Sequence, residues 1–385
     1  MWRRTGLVMA IFGEIRQLIP TGVDYTYILV YVATLLFFIL LWTFIGQRYQ
    51  FYLWLRDAEK ATMKLEVMAK KSKEMLINAI KELGKPDKDP AGDVERFMDF
   101  FIIEPVDRDP FGVLKRLEHI LDVEREKFKD IVAKVAPNAD SEEKANIESS
   151  FAATLAVNYI YKVVRHYTLL GKKTKSMLII MQIAYNLPII MRLAEAYFNS
   201  LDSFIKGIPI GDGIGPLVAA KLMRGRPYKD VGDEVVAAEV PFEGRLLVIV
   251  KAMGPGGRVG KPGEAIAKLA RQYKDTLRRI ITVDAAVKME GENTGQIAEG
   301  VGAAIGDPGP EKYKIEQVAL ELGVGLDAIV IKQGFNEALT VMRKEIAEAA
   351  DKVIEVIKRV VREKVPEGSV AIVAGIGNTI GVGNG

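Results

Sequence analysis

Apolar residues follow several patterns along this chain of 385 residues, and the most distinct pattern lies near the N-terminus. Residues 27–45 form an apolar run that contains no charge, no proline and no glycine. A helix of about 20 such residues, rising about 1.5 Å per residue, matches the hydrocarbon core of a bilayer, which is about 30 Å thick. We therefore predict a transmembrane helix over residues 27–46 and a lipid bilayer as the partner of this region.

The flanks of the run indicate a retained anchor rather than a cleaved signal peptide, because the run starts late, is too long and precedes no small-residue cleavage site. Residues 1–26 read as a short amphipathic segment. Basic residues are more frequent after the run, which predicts a cytoplasmic location for the C-terminal bulk. Arg3, Arg4 and Arg16 precede the run, and Arg48, Arg56, Lys60, Lys64, Lys70, Lys71 and Lys73 follow it.

Residues 47–205 have apolar spacings that are typical of helices. Residues 47–84 contain no proline, so we predict that the membrane helix continues as a stalk, with a break near Gly46 as the alternative. Residues 93–205 are predicted to form a helical domain. A second apolar run, 177–191, contains Asn186 and Pro188; at about 15 residues it predicts a buried core helix, with re-entrant insertion as the alternative.

Residues 206–385 form a glycine-rich region in which strand and helix patterns alternate, which predicts a mainly parallel sheet covered by helices. The fold class predicted for the whole chain is therefore a membrane-anchored α plus α/β protein. The predicted strands are 235–240, 246–251, 280–287, 327–332 and 370–374. The predicted helices are 216–223, 264–274, 294–305, 312–322 and 335–364.

The predicted helix 335–364 carries apolar residues at alternating spacings of three and four, which is a heptad pattern. Two interpretations stay open: this stripe packs on the sheet of its own domain, or it joins two copies of the chain. We expect a homo-oligomer formed through the stalk, this helix or both. The stripe consists of Leu339, Met342, Ile346, Ala349, Val353, Val356 and Val360.

Composition narrows the chemistry. The absence of cysteine excludes thiol catalysis and cysteine metal sites, and two histidines are too few for a histidine-rich metal centre. A net charge of +3 is close to neutral for this length, so nothing indicates nucleic acid as a partner. Frequent Lys, Glu, Arg, Val and Ile are typical of a thermophile.

Two glycine-rich loops are candidate anion sites, with ordinary turns and surface loops as the alternative. Gly211, Asp212 and Gly213 precede a predicted helix, whose first N–H groups favour an anion. Loop 253–263 follows a predicted strand and combines glycines with two cations, although it lacks the spacing of a P-loop. Its candidate ligand-binding residues are Gly254, Gly256, Gly257, Arg258 and Lys261.

The motif GDGIGP at 211–216 resembles the first strand–turn–helix of the isocitrate and isopropylmalate dehydrogenases. The resemblance covers about ten residues, and the chain has neither the later nucleotide loop nor the arginine cluster of that family. We interpret it as convergent turn chemistry, so the resemblance does not assign dehydrogenase activity to this chain.

A third set of candidates lies at predicted strand ends. Asp284, Glu290 and Lys332 are candidate catalytic residues, and Asp284, Glu290 and Asp307 are candidate metal ligands, since carboxylates near oxygen-rich loops suit Mg²⁺. The cofactor that these residues would accept is Mg²⁺ or a nucleotide. Ligands of open α/β sheets bind beyond the carboxyl ends of the strands. One shared site is therefore expected, formed by Lys251, the Gly254–Gly260 loop with Arg258, Asp284, Lys332 and Asn378.

The segment 375–381, GIGNTIG, looks like a dinucleotide fingerprint but lacks the helix that should follow it. We predict instead that it covers neighbouring strand ends as a lid or β extension, with Asn378 as a candidate ligand-binding residue.

The layout of the whole chain, with the segments VDAAVKMEGENTGQIAEGVGAAIGDPG and AGIGNTIGVGN, resembles an archaeal family of N-terminally membrane-anchored proteins of unknown function. The resemblance implies archaeal origin and membrane attachment. It assigns no activity and no catalytic residues. Two functions follow as hypotheses: a membrane-tethered cytoplasmic scaffold with a site for an anionic small molecule, or a membrane-anchored enzyme acting on a nucleotide or another phosphorylated compound.

Overall fold

The computed structural model describes residues 25–105, 112–306 and 309–385. The predicted amphipathic segment 1–26 therefore lies almost entirely outside the described residues, and Asp307 lies outside them too. Two compact units emerge: Met1–Glu59 with Tyr167–Tyr185, and Lys60–His166 with Asn186–Gly385.

The N-terminal half is helical. Helix α1 is continuous through Gly46 and ends in a π-helical turn, Ile80–Gly84, so the predicted stalk helix is confirmed and a break near Gly46 is wrong. The helices are α1 Tyr25–Ala79, α2 Ala91–Phe97, α3 Val113–Val135, α4 Ser141–Thr174 and α5 Met177–Lys206.

Two of these helices are long and apolar enough to cross a membrane. In α1 the most apolar window of 18 residues is entirely unburied, and in α5 only 17% of the corresponding window is buried. The prediction of a buried core helix at 177–191 is therefore wrong. Helix α5 also continues through Pro188, which does not interrupt it.

In the second unit, a core of buried side chains joins the helices. Leu76 and Ile80 at the end of α1 pack with Val94 of α2, Val132 of α3 and Phe151 of α4. All five are at most 1% exposed. This cluster holds the end of α1 and helices α2, α3 and α4 together.

The α/β domain begins with a 3₁₀ turn, Gly211–Gly213, and helix α6, Ile214–Met223. The strands are β1 Tyr228–Gly232, β2 Val235–Phe242, β3 Arg245–Ala252, β4 Leu277–Val287, β5 Ile297–Val301, β6 Gly325–Gln333 and β7 Val370–Gly375. The remaining helices are α7 Pro262–Gln272, α8 Pro310–Leu322, α9 Phe335–Leu339 and α10 Lys344–Lys364.

These strands form one seven-stranded mixed sheet in the order β1-β2-β3-β7-β4-β6-β5. The central strands β3, β7, β4 and β6 run parallel, whereas β1–β2, β2–β3 and β5–β6 are antiparallel. Helices α6 and α10 cover one face and α7 and α8 cover the other. The expectation of a mainly parallel sheet is therefore corrected to a mixed sheet with a parallel centre.

Residues 294–305, predicted as a helix, form the edge strand β5 and its flanking loops. Gly295 and Gly302 adopt positive φ angles of 82° and 111°, which end a helix and suit the turns on either side of a strand. Strand β1, at the opposite edge, was missed because it is short, polar and mostly exposed.

The predicted helix 335–364 is two helices separated by an extended segment, in which Thr340 and Arg343 have ψ angles of 177° and 153°. Val341 in this segment pairs with Ile210. In α10, Ile346, Ala349 and Val353 are buried against the sheet. The apolar stripe therefore packs within its own domain, and the homo-oligomer stays a prediction.

Candidate functional site

The carboxyl ends of the parallel strands are covered by two segments of the same chain. The turn 211–215 approaches the ends of β4 and β7, and the segment 376–385 folds back over the end of β3. The predicted placement of 375–381 over neighbouring strand ends is therefore confirmed. Thr379 is fully buried. Its hydroxyl group lies within 2.7 to 3.1 Å of three carbonyl oxygens that can accept its proton, those of Met253, Gly256 and Arg258.

The glycines at this edge permit close approach between backbones. A Cβ atom added at Gly215 would lie 2.2 Å from the carbonyl oxygen of Ile376, and one at Gly254 would lie 1.8 Å from that of Val382. A Cβ atom added at Gly377, whose φ is 132°, would lie 2.1 Å from the carbonyl oxygen of Asp212. These contacts give a structural reason for glycine that is independent of any ligand.

The N–H groups of the predicted anion-binding loops already donate to protein acceptors. Gly211 donates to the Thr340 carbonyl and Gly213 to that of Ile210. The side-chain oxygen of Asn384 accepts from Gly254, and that of Asn146 accepts from Gly257. Gly256 lies against Ala145 at the start of α4. An anion at these loops would have to displace these bonds.

The two cations of loop 253–263 are also engaged. Arg258 donates to the carbonyl and hydroxyl oxygens of Ser141, at 2.5 and 2.6 Å, and Lys261 pairs with Asp122 at 2.7 Å. Ser149 donates to the carbonyl of Gly257. The loop thus forms polar contacts between the α/β domain and helices α3 and α4, and anion binding there stays a prediction.

Asp212 and Asp284 are the acidic groups brought together at this edge. Burial raises the pKa of Asp284 well above its usual range, and the negative charge of Asp212 raises it further. Burial also raises the pKa of Asp212, partly offset because the Asn378 N–H donates to its Oδ2 atom at 2.8 Å. Such a pair favours holding a proton over binding an anion.

Lys251 is the fully buried cation beneath the 376–385 segment. Its ammonium group donates to the Ala252 carbonyl at 2.8 Å and to Asn384 Oδ1 at 3.0 Å. Burial lowers the pKa of Lys251 to about 8. Because the side chain has no exposed surface, a substrate would reach it only after the covering segment moved.

The remaining sequence candidates have different partners, although Asp284 and Lys332 lie near the ends of the adjacent strands β4 and β6. Glu290 is exposed. Lys332 pairs with a different carboxylate, that of Glu292. Asp284 instead accepts from the backbone N–H groups of Ala285 and Gly306. Among the contacts of the described residues, Arg258, Asp284 and Lys332 share no partner, which argues against the single shared site that was expected.

Sequence reasoning missed two groups beside this edge. Glu337, 8% exposed, accepts from the Gly334 N–H, the Thr294 hydroxyl and the Arg343 guanidinium, so it joins three segments. Gln333, 1% exposed, has no hydrogen-bond partner for either side-chain polar atom within the described residues. Gln333 ends strand β6, and no motif in the sequence around it indicates a role, so only the three-dimensional structure identifies it.

Among the described residues, this edge of the sheet holds no metal cluster. In the part of the chain that the structure describes, no group of three or more His, Cys, Asp or Glu side chains is placed to hold a metal ion. Beside the 376–385 segment lies an open, mainly apolar groove of about 510 Å³. Leu217, Arg224, Val341 and Val382 contribute to its walls.

These observations define a protein with a mixed-sheet α/β domain joined to a helical region that includes a helix of membrane-spanning length. Two family models match the chain: "Protein of unknown function (DUF1512) N-terminal domain" over residues 32–207 and "Domain of unknown function (DUF1512) C-terminal" over residues 210–383. Since the two matches together cover most of its length, the chain belongs to the DUF1512 family. No curated protein matches it.

Proposed function

We propose that the chain is a membrane-tethered scaffold whose helical region and α/β domain form a body on the cytoplasmic side. The observation that carries this proposal is the uncovered apolar part of α1, where Tyr27 is 77% and Trp42 is 81% exposed. An apolar helix of this length is stable when lipid or a partner covers it. The absence of charge over residues 27–45 favours lipid.

The scaffold role is supported by how the glycine loops are used. Their N–H groups and cations hold the chain to itself, through Arg258 with Ser141 and Lys261 with Asp122. Ligand sites usually present convergent polar groups in an accessible cleft. In this chain the polar groups of the glycine loops instead contact other parts of the same chain. Homo-oligomerisation through the stalk remains part of the proposal, and the apolar face of α10 takes no part in it.

The proposal is tested by washing membranes that contain the full chain with alkaline carbonate and then floating the vesicles. We expect the wild-type chain to remain with the vesicles and the double variant Leu36→Arg, Leu40→Arg to be released, because each arginine costs about 3 kcal/mol at the centre of a membrane helix. The matched control Lys352→Arg, Lys358→Arg adds two arginines outside the anchor and should stay bound. Release of the wild-type chain would contradict the tether.

A second proposal, binding of an anionic or phosphorylated small molecule, is favoured by one observation. Arg224 lines the apolar groove beside the 376–385 segment and has no ion-pair partner within the described residues. The groove would receive the apolar part of a ligand and Arg224 its anionic group. Equilibrium dialysis against labelled ATP and inorganic phosphate tests this, with Arg224→Gln as the variant expected to lose binding. No retention by the wild type would leave the scaffold role alone.

A further inference from the structure

The hairpin formed by the end of α4 and the start of α5 has an unusual charge pattern. Residues 167–190 contain Lys172, Lys173 and Lys175 and no carboxylate. Lys172 pairs with Glu59 at 2.7 Å. Lys173 and Lys175 are exposed, and no ion-pair partner is found for them within the described residues. The tip is therefore a locally basic surface in a chain that is nearly neutral as a whole.

The same hairpin exposes large apolar side chains. Leu178 is 58% exposed and Ile189 is 68% exposed, and the adjoining Leu169 and Tyr185 are also exposed. An apolar surface bordered by cations is typical of elements that lie in the interface of a membrane, where apolar groups enter the acyl boundary and lysines remain among the headgroups.

The position of the hairpin supports a lipid partner. Its residues Tyr167–Tyr185 belong to the same compact unit as the anchor, and the rings of Trp54 and Tyr185 lie 5.6 Å apart between centroids. Trp54 is nine residues after Ile45, which is about 14 Å along the helix. Headgroups extend about 5 to 8 Å beyond the hydrocarbon core, and their charge acts over a further 8 to 10 Å or so. Tyr185 is thus held within the electrostatic range of a bilayer that contains α1.

We infer that the α4–α5 hairpin is a second membrane contact, which binds the headgroups of anionic phospholipids through Lys173 and Lys175 and places Leu178 at the interface. This inference rests on the proposed tether, because α1 is what brings the hairpin to the membrane. It adds a preference for lipid charge that an uncharged anchor does not have. The absence of carboxylates favours lipid over a protein partner, whose surface would carry both signs of charge.

The experiment uses the full chain reconstituted into vesicles. Because the chain contains no cysteine, single substitutions carry an environment-sensitive fluorophore without further changes. Labels at Leu178→Cys, Leu36→Cys and Leu320→Cys report the hairpin, the anchor and the surface of α8, respectively. Quenchers attached to lipid acyl chains then measure contact with the bilayer, in vesicles of phosphatidylcholine alone and of phosphatidylcholine and phosphatidylglycerol in equal parts.

We expect the Leu36 label to be quenched in both vesicles and the Leu320 label in neither. The Leu178 label should shift to the blue and be quenched in the phosphatidylglycerol vesicles, and the double variant Lys173→Gln, Lys175→Gln should lose this response. The control Lys312→Gln, Lys358→Gln removes two lysines elsewhere and should retain it.

The outcomes separate the two proposals. No quenching of the Leu36 label would contradict the tether and, with it, the inference. Quenching at Leu36 with none at Leu178 would overturn the inference and leave the tether standing. A blue shift at Leu178 without quenching would show that protein covers the hairpin. Equal quenching in both kinds of vesicle, and in the Lys173→Gln, Lys175→Gln variant, would exclude headgroup binding. Either result overturns the inference.

Discussion

At the scale of single residues, the chemistry of this chain is concentrated in buried ionisable groups rather than in a recognisable catalytic motif. Lys251, Asp212 and Asp284 lie where the 376–385 segment and the turn 211–215 cover the strand ends. Burial favours the neutral form of each group: it raises the pKa of Asp212 and of Asp284 and lowers the pKa of Lys251. Such shifts also occur at functional sites, but here they have a structural cause that stability measurements can test.

Replacing Lys251 with methionine should change how stability depends on pH. The pKa of Lys251 is lowered to about 8 in the folded chain from 10.5, so the unfolded chain binds more protons between these values and wild-type stability rises with pH there. The gain is about 3 kcal/mol. Unfolding midpoints in detergent should show this rise in the wild type and in the exposed control Lys274→Met, but not in Lys251→Met. Parallel profiles for all three proteins would refute the burial of the ammonium group.

The substitution Asp284→Asn should stabilise the protein at neutral pH. The pKa of Asp284 is raised in the folded chain, so its contribution to stability is present at low pH and is lost as pH rises from its unfolded value through the folded one. Asparagine keeps an acceptor for the Ala285 N–H and removes the buried charge, a gain of about 1 to 3 kcal/mol. Thermal unfolding at pH 5 and pH 8 measures this gain, which should be larger at pH 8. A lower midpoint than wild type at both pH values would show that the carboxylate is required.

At the scale of elements, glycines set how closely segments pack. Gly215 lies in α6, where an alanine Cβ would be 2.2 Å from the Ile376 carbonyl oxygen and 2.5 Å from that of Val283. Both are backbone atoms, which cannot turn away as a side chain can. The turn 211–215 is therefore a packing feature of the α/β domain.

Gly215→Ala should destabilise the chain by about 3 kcal/mol or more through overpacking. Gly92 of α2 is the matched control, because it is also helical and an added Cβ meets nothing within 4 Å. Gly92→Ala should be neutral or stabilise by up to about 1 kcal/mol. Equilibrium denaturation compares the two, and equal effects would contradict the close approach of the segments.

Val353→Glu distinguishes intramolecular packing of α10 from self-association. Val353 is fully buried against the sheet, so the glutamate should destabilise the fold by about 4 kcal/mol without releasing monomers from a folded oligomer. Lys352→Glu introduces the same carboxylate at the exposed neighbouring position and should be close to neutral. Circular dichroism measures whether the variant is folded, and a particle-mass measurement gives its oligomeric state. A folded variant of smaller mass than the wild type would show that the stripe joins two copies of the chain.

Particular elements show what sequence patterns can predict. The buried strands around Leu247 and Ile329 were predicted because successive apolar, β-branched residues are typical of strands covered on both faces. Edge strand β5 was misread, since Ile297, Ala298 and Val301 also fit a helical spacing and only the positive φ angles of Gly295 and Gly302 decide against it. The apolar stripe of α10 was predicted from its spacing. The same spacing fits packing on a sheet and packing on a second copy of the chain, so the sequence does not distinguish the two.

The candidate site was harder to predict than the fold, for a physical reason. The sequence of a glycine-rich loop with cations does not show whether its N–H groups and cationic side chains bind a phosphate or contact a neighbouring helix. Asn146 and Ser141, which accept from Gly257 and Arg258, lie more than 100 residues earlier in the chain. Only tertiary contacts reveal that these donors are already used.

At the scale of the whole molecule, this DUF1512-family chain has an exposed apolar helix of membrane-spanning length, a helical region and an α/β domain. We propose that the exposed helix holds the rest of the chain at a membrane. The predicted archaeal origin and the oligomeric state remain predictions. The claim on which the rest depends is that the anchor spans the bilayer with the α/β domain inside the cell.

The most direct measurement of that claim is cysteine labelling of Leu320→Cys in cells, followed by separation of the membranes. Leu320 is 84% exposed on α8, and the chain has no other cysteine. The account predicts that a membrane-impermeant maleimide labels the protein only after the cells are opened, and that the labelled chain stays in the membrane pellet after an alkaline wash. Labelling in intact cells would contradict the cytoplasmic location, and recovery of the labelled chain in the washed supernatant would contradict the anchor itself.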